Sequence, residues 1–127
     1  MKTTHITVDG RAFALAFTMD AMAAMEESIP DFNLAKLTDY ARSAGGLLKL
    51  LFPLAQQGEL LEGRSIDVDR AWFGCHIKPS AAELIALRVA VMDALAYGLG
   101  METDDGDASE EKDEVLEEIK KKESKDA

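Results

Sequence analysis

Half of the acidic side chains in this chain fall in its last 27 residues, and that division limits what can fold. Residues 1–100 carry 12 acidic and 9 basic side chains, a balance of −3; residues 101–127 carry 12 and 5, a balance of −7. The stretch opening Met101-Glu102-Thr103-Asp104-Asp105-Gly106-Asp107 is too polar and self-repelling to bury a core. The sequence therefore predicts a single folded domain over 1–100 and an acidic tail over 101–127, largely disordered, with a nascent helix at 110–122. In that segment Glu117 with Lys121 and Glu118 with Lys122 are favourable i,i+4 pairs. Val115, Leu116 and Ile119 supply only one small apolar patch, too little to hold a helix without docking.

The start of the chain reads as a β-hairpin. Asp9-Gly10 suits a two-residue type I′ turn, because both central residues need positive φ. That turn sets Val8 opposite Arg11 and Ile6 opposite Phe13, which puts Ile6, Val8, Phe13, Leu15 and Phe17 on one face. A two-stranded ribbon is marginal alone, so helices or another subunit must cover that face.

The rest reads as helical, giving an α+β, predominantly α fold: an N-terminal two-stranded β-hairpin followed by a small helical bundle. Thr18 is the expected N-cap of a first helix carrying Met19, Met22, Met25 and Ile29, stopped by Pro30. From about Lys36 to Glu62 a long helix is expected, with Tyr40, Ala44, Leu47, Leu51 and Leu54 as its stripe, widened by Leu48 and Ala55. Pro53 is expected to kink or restart it, and Gly58 and Gly63 to bracket its end. Residues 64–79 fit either a short helix or a loop anchored by Trp72 and Phe73. Ser80 and Glu83 form a capping box for a last helix that stops at Gly98-Leu99-Gly100 and is apolar over most of its circumference.

Chemistry is hard to find in this pattern. His5 and His76 lie on different elements, Cys75 is the lone cysteine, and no glycine-rich phosphate loop carries the lysine it needs. The expectation is a protein that is not an enzyme, with no cofactor and no metal. A net charge of −10 and scattered bases argue against nucleic acid. No uncharged run approaches the roughly 20 residues that span a bilayer, and no signal peptide is read at the N-terminus, so a cytoplasmic protein without a membrane partner is expected.

Several stretches together resemble a known family. They are the Val8-Asp9-Gly10-Arg11 hairpin leading to Phe17, the helix with Met25-Glu26-Glu27, the run Leu51-Phe52-Pro53-Leu54-Ala55-Gln56-Gln57-Gly58-Glu59-Leu60-Leu61-Glu62-Gly63-Arg64, and a last helix before an acidic, lysine-ended tail. In that order they resemble the tail assembly chaperones of long-tailed bacteriophages and prophages. The resemblance implies a non-catalytic protein of the host bacterial cytoplasm that coats the tape measure protein, assists tail-tube protein to polymerise around it, and is absent from the mature virion. It also implies a longer frameshifted form, for which Lys120-Lys121-Lys122 would be encoded by an adenine-rich run; a basic helix end explains those lysines equally well.

A client of that kind needs apolar but adaptable surface. The candidate partner-binding residues are Met19, Met22, Met25, Trp72, Phe73, Ile85, Val89 and Met92, with core filling as the competing explanation for each. The alternative reading is a structural virion protein, a head-tail connector or tail terminator. It would form a homo-oligomeric ring through the hairpin edge and the last helix.

Overall fold

In the computed structural model, which describes residues 3–101, Asp9 and Gly10 both take positive φ, 52° and 82°. They join β1 (Thr4–Val8) to β2 (Arg11–Leu15) in the expected antiparallel register, with Val8 opposite Arg11 and Ile6 opposite Phe13. Five α-helices follow: α1 (Met19–Ser28), α2 (Leu37–Tyr40), α3 (Ala44–Leu61), α4 (Arg70–His76) and α5 (Ala81–Gly98). The fold is α+β and predominantly α. The expected tail and its helix at 110–122 lie outside the described residues.

The caps explain most of the boundaries. Thr18 Oγ1 accepts from the Ala21 amide, Asp69 Oδ1 from Trp72 and Ser80 Oγ from Glu83, each closing the first turn of its helix. Two helices end in Schellman geometry. Gly63 and Gly100 both sit near φ +80°, and the residues after them, Arg64 and Met101, donate back to the carbonyls of Glu59 and Ala96.

Three expectations need correction. The helix expected from Lys36 to Glu62 is broken: a 3-10 turn (Leu34–Lys36) and α2 end near Ala41, and α3 restarts with Ser43 as N-cap, its Oγ accepting from Gly46. Ala44 is exposed as a result, while Leu50, outside the expected stripe, is fully buried. Of the kink or restart expected at Pro53, the restart does not occur: α3 runs through it, since its missing donor concerns only the carbonyl of Lys49 and its ring is buried. Gly58 is an interior helix residue rather than an end signal.

That glycine lets the hairpin lie directly on α3. A Cβ at Gly58 would land on the carbonyl of Ala14, so backbone meets backbone there. The outward amides of β2 are then satisfied by α3: Ala14 N–H donates to Glu59 Oε2 at 2.9 Å, and Ala16 N–H to the Leu54 carbonyl at 3.0 Å. Ala14 and Ala16 are consequently buried along with Phe13, Leu15 and Phe17, and this end of the hairpin is covered on both faces. The other side of the ribbon packs against α5, which completes the core around Leu47, Leu51, Leu54, Phe73, Val91 and Leu95.

Glu59 is 7% exposed, and its charge is matched. Arg64 grips it with two nitrogens, Nε to Oε1 at 3.0 Å and Nη2 to Oε2 at 2.9 Å. Arg64 also reaches Glu62, whose Oε2 lies 2.9 Å from His5 Nε2 and accepts from Thr3 Oγ1. The Arg64 hydrogen bonds, followed by the Ala14 amide, hold the Glu59 carboxyl below the usual carboxylate range against the opposing effect of burial. Glu62 is lowered as well, again mainly by Arg64.

Two predictions follow from this seam. Gly58→Ala should lose about 1–3 kcal/mol in denaturant unfolding because the hairpin has to move away, whereas Gly45→Ala, where a Cβ meets open space, should gain about 0.5–1 kcal/mol from helix propensity. The second concerns acid. A carboxyl with a depressed folded pKa stabilises above its unfolded pKa, and that contribution is lost as pH falls through the folded value. The stability gap between the parent and Glu59→Gln should therefore be widest near neutrality and should close below the ordinary carboxylate range of about pH 4. Urea titrations across that range measure it.

Candidate partner-binding surface

The eight candidate residues fall into three environments. Met25 and Phe73 are wholly buried, so for these two candidates core filling, the competing explanation, is the one that holds, and neither offers partner-binding surface. Met25 belongs to the face that α1 packs on α3. Phe73 is held by edge contacts with Phe13 (centroids 5.0 Å apart) and Phe52 (6.2 Å). Met22, Trp72 and Met92 are half-buried and packed against the core. Met19, Ile85 and Val89 are exposed, at 75%, 59% and 55%.

Trp72 is less available than its size suggests. His76 stacks on it at 4.2 Å and 18° between planes, the Arg11 guanidinium sits 5.4 Å from its ring centroid, and Phe13 and Phe73 meet it edge-on. Arg11 is itself fixed by Asp67 at 2.6 Å, which lowers the Asp67 carboxyl below its ordinary value. These contacts make Trp72 the anchor of α4 against the hairpin.

Ile85 and Val89 are one turn apart on α5, and Met92 continues the row at i+3, so these three share a stripe. Met19 stands alone on another element. Sequence reasoning passed over Leu60 and Leu61, exposed at 56% and 52% at the end of α3. Adjacent leucines on a helix point about 100° apart, so both could not be assumed to face one core.

A further exposed feature is the outer edge of β1. Ala14, opposite His5, directs its amide away from β1, so in this alternating ladder His5, and Thr7 two residues on and opposite Ala12, direct their backbone groups outward on the opposite side. Among the described residues nothing pairs with that edge. A cleft of about 210 Å³ runs beside it, walled by Ile6 and Val8 on one side and Ala86, Leu87 and Ala90 on the other, with His5 and Glu83 as its titratable groups.

Among the described residues no three His, Cys, Asp or Glu side chains are grouped so as to hold a metal ion, and no helix is long and apolar enough to cross a membrane. Comparison of the chain with protein-family models, with curated proteins and with solved structures finds no match in any of the three.

The environments predict different mutational costs. Ile85→Glu and Val89→Glu should stay within about 0.5 kcal/mol of the parent because both sites are solvated, while Met25→Ala should cost about 2–5 kcal/mol and Phe73→Ala about 3–5 kcal/mol through cavity formation. Chemical denaturation of the four single variants checks the division.

Proposed function

We propose that the protein is a non-enzymatic tail assembly chaperone of a long-tailed bacteriophage or prophage, acting in the host cytoplasm to hold the tape measure protein while tail-tube subunits polymerise around it. The observation that carries this reading is the exposed row of Ile85 and Val89, continued by Met92, on a helix that is apolar around most of its circumference. An apolar row at i, i+4 and i+7, solvated at its first two positions and half-buried at the third, suits an amphipathic client helix laid alongside it. The order of motifs from the Asp9-Gly10 hairpin to the acidic tail supports the same reading by resemblance.

Co-expression with a tape measure protein from the same genome should keep that protein in the supernatant, and the Ile85→Glu/Val89→Glu double variant should release it to the pellet while remaining folded itself. Retention of the client by that variant would sink the proposed surface. Raising salt should weaken the complex only modestly, because apolar burial is little screened.

The uncovered edge of β1 favours a second reading, a structural ring component of the virion assembled by strand pairing. Mass spectrometry of purified particles separates the two: a chaperone is missing from them, and a connector or terminator is present in fixed copy number.

A further inference from the structure

We propose that the cleft between α1, α3 and the start of α4 receives the chain's own acidic segment Glu114-Val115-Leu116-Glu117-Glu118-Ile119. The cleft has a volume of about 240 Å³ and lies away from the α5 row. Ala24, Phe52 and Pro53 form its apolar walls, and Lys49 and Arg70 bring two cations to it. Neither cation has an ion-pair partner among the described residues. The carboxylate next to Arg70, Asp69, is already engaged as the cap of α4, accepting from Trp72 at 2.8 Å.

Two unpaired cations beside an apolar wall select a ligand that carries carboxylates next to aliphatic side chains. Either part alone is weak, since exposed ion pairs contribute little and a patch this small buries little area. The segment 114–119 offers both, with Val115, Leu116 and Ile119 interleaved among Glu114, Glu117 and Glu118. Charge favours residues 101–127, which hold a balance of −7 out of the chain's −10, over the body, and the apolar wall favours the part of them that holds Val115, Leu116 and Ile119.

The tether brings it within reach. Gly98 lies against Phe17, immediately ahead of α1, so the chain leaves α5 beside the helix that forms one wall of the cleft. From Met101 to Val115 an extended chain spans up to roughly 50 Å, more than the width of a domain whose radius of gyration is about 13 Å. A segment held on such a tether is present at an effective concentration near millimolar, so a contact too weak to form between separate molecules is populated. This contact leaves Ile85 and Val89 open and does not depend on the function proposed above.

Cys75 provides the test in the full-length protein. It is exposed, it is the chain's lone cysteine, and it lies on α4 together with Arg70. A nitroxide attached there should broaden the amide signals of 114–119 at least about twofold more than those of 104–110, and moderate salt should reduce the effect by screening the exposed charges. The Lys49→Glu/Arg70→Glu double variant should abolish the excess and Lys78→Glu should leave it, the unchanged dispersion of body amides showing that each is folded. Broadening that declines steadily from residue 102 without a maximum at 114–119, or that survives in the double variant, overturns the proposal. So does broadening seen only when labelled and unlabelled chains are mixed, which would assign the cleft to the tail of a second copy. The salt response of the parent protein tests the electrostatic part without any substitution.

Discussion

The seam between β2 and α3 is the contact on which the rest of this fold depends. A two-stranded hairpin has two open edges and too little area to be stable alone. Here one edge is closed by a helix rather than by a third strand. Gly58 lets the backbones touch, Glu59 accepts the Ala14 amide, and the Leu54 carbonyl accepts that of Ala16. Burying a carboxylate for this purpose would be costly on its own. The bidentate Arg64, placed five residues on by the Schellman turn at Gly63, offsets that cost.

Closing one edge leaves the molecule asymmetric. The Glu59–Arg64–Glu62–His5 chain of contacts ties the hairpin to the end of α3, while the outer edge of β1 remains open. α5 then crosses the hairpin's other side, burying Leu87, Val91 and Leu95 and turning Ile85 and Val89 to solvent. The open strand edge, the exposed row on α5 and the cationic cleft beside α1 are thus on different parts of the surface.

The candidate surface was only partly legible in the sequence. Met19, Met22 and Met25 share a helical spacing, yet they end exposed, half-buried and buried respectively, because each step of three residues turns about 60° around α1 and the buried face is the one that holds Ala21 and Met25. Trp72 and Phe73 look alike as an aromatic pair. On α4 they point about 100° apart, so Phe73 enters the core while Trp72 is roofed by Arg11 and His76. The Glu59 latch was invisible beforehand, since nothing local distinguishes that glutamate from others on a helix.

What the sequence determined by itself is local in origin. Asp9-Gly10 fixed the turn and so the register, Thr18 and Ser80 fixed helix starts, Gly100 fixed the last stop, and the charge partition set the acidic segment apart, because each acts through backbone dihedrals or hydrogen bonds within a few residues. Only the tertiary structure decided the continuity of α3 through Pro53, the break before Ser43, the role of Gly58 and the exposure of Ile85 and Val89. Those depend on which element arrives opposite, and α5 shows the limit most plainly. A helix apolar on nearly every side has no sequence-encoded inner face, so the side left to solvent is set by the hairpin and α3 packing against it.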